Sequence, residues 1–127
     1  MAILGSVTRD VLKFGGEALA DGAGVGRAVR LVAADLARGV RPVVVVSAHA
    51  GVTDLLETTA RRAAEGSISL EAVRVRHRSL LAQLGLAPEL LDGSWRELAA
   101  LLHPVRRRGA LGPAEQDHTQ SFGERLS

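Results

Sequence analysis

Val11-Leu12-Lys13-Phe14-Gly15-Gly16 is the stretch whose reading decides the fold. Two apolar residues that favour a buried extended strand deliver one lysine, and two glycines follow at once. Gly15 and Gly16 let the chain turn sharply and let a ligand approach bare backbone N–H groups. A long apolar, helix-like stretch comes next. Strand, lysine, glycine turn and helix together can hold an anion, because helix N-termini and glycine-exposed amides both favour negative charge. The same residues also fit an ordinary strand-to-helix turn with a surface lysine.

Working outward, Met1 to Asp10 reads as a lead-in, with the first strand expected over Val7 to Phe14. Glu17 to Gly24 is small and glycine-rich, a loop. From Val25, the apolar positions Val25, Ala28, Val29, Val32, Ala33 and Leu36 recur at three and four, while Arg27, Arg30, Asp35 and Arg38 fall mostly off that stripe. This is helical spacing, and Gly39 suits the C-terminal cap. Pro42 then opens Val43-Val44-Val45-Val46, a run suited to a parallel strand covered on both faces. Ser47 to Thr53 follows as small residues at a strand end, and Asp54 to Ala64 reads as the next helix. The alternation predicts an α/β fold with right-handed crossovers.

The middle of the chain reads as a helical insert. Leu70, Val73, His77, Leu80, Leu81 and Leu84 form a stripe with Ser69 as N-cap, ending at Gly85. A turn is expected over Pro88 to Leu91, then a helix from Ser94 to His103 carrying Trp95, Leu98, Ala99 and Leu102 on one side. Pro104 is expected to stop that helix, and Arg106-Arg107-Arg108-Gly109 reads as a basic linker. A last helix begins near Pro113 with acidic residues in its first turn, where they complement the helix dipole. Two strong strands are few for a covered parallel sheet, and the last helix stops on Arg125-Leu126-Ser127 without a cap. The expectation is the first part of a larger domain.

Composition narrows the function classes. The 127 residues suit one domain, and an apolar fraction of 46% is that of a folding chain. Aromatics make up only 2%, so Leu, Val and Ala must build the core, and base-stacking nucleic-acid modules are disfavoured. The net charge is only +2, and with no cysteine a disulfide framework is excluded. No apolar run approaches membrane-spanning length, and no basic region followed by an apolar core opens the chain. The expectation is a soluble, cytoplasmic protein without nucleic-acid or membrane partners.

Three separated motifs carry a resemblance. Lys13-Phe14-Gly15-Gly16 closes the first strand, Val46-Ser47-Ala48-His49-Ala50-Gly51-Val52-Thr53-Asp54-Leu55-Leu56 follows the second, and Ser121-Phe122-Gly123-Glu124-Arg125-Leu126-Ser127 lies in the last helix. In this order, with a helical insert between the last two, they resemble the N-terminal part of aspartate kinases, in the amino-acid kinase superfamily. The resemblance implies a partial three-layer α/β/α fold with a mainly parallel sheet. Residues 1–127 would form the amino-acid-substrate side, with the nucleotide-binding half and the ACT domains absent from the sequence. It implies transfer of the γ-phosphoryl group of ATP, with Mg2+, to the side-chain carboxylate of L-aspartate, giving 4-phospho-L-aspartate for lysine, threonine and methionine synthesis. Exposed sheet edges add the expectation of a homo-oligomer or of pairing with another kinase-like subunit.

Residue by residue, the resemblance makes Lys13 the catalytic point charge on the phosphoryl oxygens, and Gly15 and Gly16 the phosphate-binding amides. Ser47 and Thr53 would contact substrate with their hydroxyls, and Glu124 would hold the amino group of aspartate; no residue is assigned to a metal. The residues themselves leave other readings open. Ser47 can be a turn hydroxyl, Thr53 an N-cap, and Glu124 a solvated helix glutamate paired with a neighbouring arginine. His49 reads as a loop histidine and His77 as structural, while His103 and His118 lack partners at metal-ligand spacing. The arginines at 106–108 read as solvated. Glu17 and Ala18 depart from the family, which carries a small hydroxyl residue and then serine there. A carboxylate beside a phosphate repels it unless it points away or helps hold a metal. A non-catalytic amino-acid-binding or subunit-interaction module is therefore the rival expectation, and turnover by the 127-residue chain alone is not expected.

Overall fold

The computed structural model describes residues 9–127, so Val7 and Thr8 of the expected first strand lie outside the described residues. Strand β1 (Val11–Phe14) leads through helix α1 (Gly22–Ala37) to strand β2 (Val43–Val46). Helices α2 (Val52–Ala64) and α3 (Glu71–Leu84), a 3₁₀ turn (Pro88–Leu91), α4 (Asp92–Arg108) and α5 (Pro113–Arg125) follow. The two strands pair in parallel, with Lys13 opposite Val45 and Phe14 opposite Val46, so both end at one edge. This is the expected α/β class with a helical insert, weighted heavily toward helix.

The core is helical. Val52, Leu56, Ala60 and Ala63 recur at four, four and three along α2, and Trp95, Leu98, Leu102 and Val105 at three, four and three along α4. These stripes meet one another together with Val73 of α3 and Phe122 of α5, all nearly sealed from solvent. Each large side chain buried this way contributes about 1.5–3 kcal/mol. The hydroxyls drawn into this core bond the carbonyl one turn back, Thr59 to Leu55 at 2.8 Å and Thr119 to Glu115 at 2.7 Å.

Several expectations are corrected here. The valines of β2 are not covered on both faces: Val43 to Val46 are 51, 43, 43 and 36% exposed. Their only strand partner among the described residues is β1, and the four later helices bury their apolar faces against each other instead. Pro104 does not stop α4, and Arg106–Arg108 are its last turn rather than a linker. Proline removes one backbone hydrogen bond, but the buried stripe continues through Val105 beyond it, and the three arginines complement the helix's negative end. Helix α1 starts at Gly22, earlier than the apolar stripe, because the Asp21 side chain accepts the Gly24 N–H at 2.7 Å and caps it. Thr53 caps nothing: Gly51, at φ 77°, is the N-cap of α2. Ser69 sits one residue before the Leu70 cap of α3 and reaches only the Glu71 N–H, at 3.5 Å. Gly39, at φ 77° just past α1, and Gly85, at φ 66° after α3, end those helices as expected. No helix among the described residues is long and apolar enough to cross a membrane.

His77 on α3 is buried as expected, with Nδ1 bonded to the Val73 carbonyl at 2.8 Å and Nε2 sealed without a partner. Its ring meets Trp95 and His49 edge-on, at 5.4 and 5.7 Å between centroids. Burial is the main cause that pulls its pKa below the ordinary 6.5, while the bond to Val73 opposes this and the charges of His49 and Arg76 add to it. The unfolded chain therefore binds a proton more readily than the folded one, and stability falls as pH drops through the unfolded value. Thermal melts should show a falling midpoint between about pH 7.5 and 5.5, and His77→Leu should flatten that fall. A slope unchanged in the variant would contradict this.

Candidate functional site

The strand ends and the helices that abut them assemble the site. At the C-terminal edge of the sheet, the Ser47 N–H donates to the Phe14 carbonyl at 3.1 Å, and the Ala50 N–H to the Gly16 carbonyl at 3.2 Å. The lysine–glycine turn and the loop after β2 are thus laced together by backbone bonds. A side chain on Gly16 would sit 2.8 Å from the Ala48 carbonyl oxygen, which is why this position is glycine. Neither Gly15 nor Gly16 has positive φ, so their use is close approach rather than unusual backbone shape. Around Gly15 the space a Cβ would fill is open. No carbonyl among the described residues accepts the N–H of either glycine, which leaves both donors for a ligand.

Helix α5 closes the other side. A Cβ on Gly123 would lie 2.7 Å from that of Ala48, so the helix backbone rests directly on the loop after β2. The Ser127 hydroxyl, just past α5, donates to the Ser47 carbonyl at 2.6 Å. Glu124, next to Gly123, is exposed, and no ion pair among the described residues engages it. Its neighbour Arg125 instead pairs with Glu97 of α4 and lies over the Phe122 ring at 4.3 Å. The alternative of a glutamate neutralised by its neighbouring arginine is therefore absent.

Ser47 is half-buried, with its hydroxyl 3.3 Å from the Ala48 carbonyl, and Thr53 is exposed in the first turn of α2, where free helix N–H groups point outward. Lys13 is exposed and forms no ion pair among the described residues. The sequence-predicted residues thus fall on three adjoining pieces: the end of β1, the loop from β2 into α2, and the end of α5. Their charges are a cation and donors at the strand ends and an anion on α5, the complement of a ligand carrying both signs. Glu17 and Ala18 are exposed beside the glycines.

Sequence reasoning underrated His49. It is a loop residue, as expected, but a buried one, with Nδ1 2.7 Å from the Leu19 carbonyl. Its only sequence signal is being the one large side chain among small ones from Ser47 to Gly51. An apolar groove of about 430 Å³ is lined by Phe14, Val25, Val32, Leu36 and Val44 among others, with His49 and Ser127 at its polar part. With no charged lining, it does not suit a phosphate.

Comparison with known proteins gives a consistent picture. The sequence model of the amino acid kinase family matches residues 8–127. Among solved structures, the chain is similar to Escherichia coli aspartokinase III in complex with aspartate and ADP, at 30% identity and a TM-score of 0.68, over 94% of this chain and 26% of that one. The same enzyme with lysine and aspartate matches at 30% identity and 0.68, over 95% and 27%. Clostridium acetobutylicum aspartate kinase, at 21% identity, shares the fold with a TM-score of 0.72 over 91% of this chain and 26% of that one. The chain spans about a quarter of the length of these solved relatives. No curated protein matches it significantly.

The two glycines should respond differently to a methyl group. Gly16→Ala pushes on the Ala48 backbone and should cost about 1–3 kcal/mol in urea unfolding, whereas Gly15→Ala should change stability by less than about 1 kcal/mol. Equal losses at the two positions would contradict the packing described.

Proposed function

The chain belongs to the amino acid kinase family, and from that membership we propose that it forms the aspartate side of an aspartate kinase site. The reaction is transfer of the γ-phosphoryl group of ATP to the side-chain carboxylate of L-aspartate, feeding lysine, threonine and methionine synthesis in the cytoplasm. The observation that carries this reading is Glu124: an exposed carboxylate with no ion pair among the described residues, on the helix turn held against the loop of Ser47 and Thr53 by the contact between Gly123 and Ala48.

In this reading Glu124 receives the ammonium group of aspartate in a charge-assisted hydrogen bond. Ser47 and Thr53 offer hydroxyls to its carboxylates, with the α2 N-terminus adding a favourable field. Lys13 faces the transferring phosphoryl group as a point charge, and the free Gly15 and Gly16 amides orient its oxygens. The open space at Gly15 fits a phosphate there. No three His, Asp or Glu side chains among the described residues converge to hold a metal. A Mg2+ ion would therefore be held chiefly by the nucleotide's phosphates, whose developing charge it neutralises. Glu17, exposed beside the glycines, favours a second reading in which the chain binds the amino acid or pairs with a kinase-like subunit without turnover. No other described strand covers the edges of the two-stranded sheet, which agrees with such pairing. Hydroxylamine trapping of aspartyl phosphate separates the two readings.

Calorimetric titration of the chain with L-aspartate tests the substrate assignment. Glu124→Gln should weaken binding by about tenfold or more, while Glu65→Gln, exposed at the far end of α2, should leave it unchanged. Equal affinity of wild type and Glu124→Gln would reject Glu124 as the ammonium site.

A further inference from the structure

The segment that follows the two glycines is held from behind by side chains distant in sequence. The Leu19 carbonyl faces His49 Nδ1 at 2.7 Å, the Ala20 carbonyl accepts from Arg76, and the Gly22 N–H donates to Gln83 Oε1 at 2.8 Å. Arg76 and Gln83 both stand on α3, while His49 lies on the loop that carries Ser47 and leads to Thr53. Three successive anchor points on one short segment, none supplied by its own helix, exceed what a surface turn needs. The Leu19 and Ala20 N–H groups in turn reach back to the carbonyls of Gly15, Gly16 and Glu17, at 3.2 to 3.3 Å. Whatever fixes residues 19–22 therefore fixes the glycines.

His49 is the member of this set that joins the turn to the second ligand loop. A carbonyl can only accept, so Nδ1 must carry the proton in this contact. The ring is nearly sealed, 7% exposed, and packs edge-on against His77, which packs in the same way against Trp95 of the helical core. We propose that His49 is a positioning residue: by donating from Nδ1 to the Leu19 carbonyl, it locks the Lys13–Gly16 turn to the Ser47–Thr53 loop, with Arg76 and Gln83 of α3 completing the clamp. This rests on the reading that these two loops share one ligand site. A transition state stabilised by placed charges depends on such fixing, since displacements of about 1 Å can cost about a hundredfold in rate.

The test compares two substitutions of equal size on the full chain. Asn carries its Nδ2 at the same place along the side chain as Nδ1 of histidine, whereas Leu fills the same space without a donor. Ring nitrogen shifts of the wild type should place the proton of His49 on Nδ1. Amide exchange at Leu19, Ala20 and Ala50 should quicken by about tenfold or more in His49→Leu and stay near wild type in His49→Asn. A residue that merely fills space would give the reverse order, with leucine at least as protective as asparagine, and that result overturns the proposal. If His49→Leu does not fold, Gln83→Ala, at an exposed position, should loosen Ala20 and Gly22, and unchanged exchange there overturns the clamp. Titration with L-aspartate keeps the two claims apart. Clamp behaviour without aspartate binding removes the ligand assignment alone. Aspartate binding of equal strength in wild type and His49→Leu removes the positioning role alone.

Discussion

The arrangement of the candidate site depends on a contact that excludes a side chain. Helix α5 approaches the loop after β2 so closely that a methyl group on Gly123 would stand 2.7 Å from the Ala48 Cβ. Phe122 and Leu126, on either side of that glycine in the chain, are 1 and 4% exposed and anchor the helix end in the core. The close approach thus draws its strength from burial on the same helix, with the Ser127 hydroxyl adding one bond to the Ser47 carbonyl. It brings the helix turn that carries Glu124 against a loop lying seventy or more positions earlier in the sequence.

The division of labour between helices and strands follows from where apolar surface finds a partner. Helices α2, α3, α4 and α5 bury their stripes against each other, while the two strands pair mainly with one another and keep their valines substantially exposed. The strands nevertheless do the functional placing. Parallel register brings the ends of β1 and β2 to one edge, and the helical core then supports that edge from the side through Ala48, His49 and Gly123. A polar site is in this way mounted on an apolar frame it does not interrupt.

Much of this was legible in the residues. Period-four stripes gave the helices of the insert, positive-φ glycines marked the ends of α1 and α3, and proline opened both the 3₁₀ turn and α5. Three short motifs gave the family, which the match over residues 8–127 bears out. What stayed hidden shares one physical feature: it depends on partners far away in sequence. Four valines in a row speak for burial but cannot say whether neighbours are there to supply it. Pro104 looks like a helix stop until Val105 is seen to be fully buried against the core. His49 is a loop residue whose burial shows only when the Leu19 carbonyl is found thirty positions earlier. Gly16 reads as a glycine for a sharp turn and for ligand approach, whereas the structure adds the Ala48 carbonyl pressed against it.

The central claim is that Lys13, the two glycines, Ser47, Thr53 and Glu124 form a single site for an amino acid with a carboxylate side chain. The most direct measurement is a residue-resolved map of amide shifts as L-aspartate is added to the isotopically labelled chain. The account predicts saturable shifts concentrated at Ser47, Thr53 and Glu124 with smaller ones at Gly15 and Gly16, and little response to L-asparagine. Shifts confined to the apolar groove lined by Val25, Val32 and Leu36, or equal responses to the two amino acids, would contradict it.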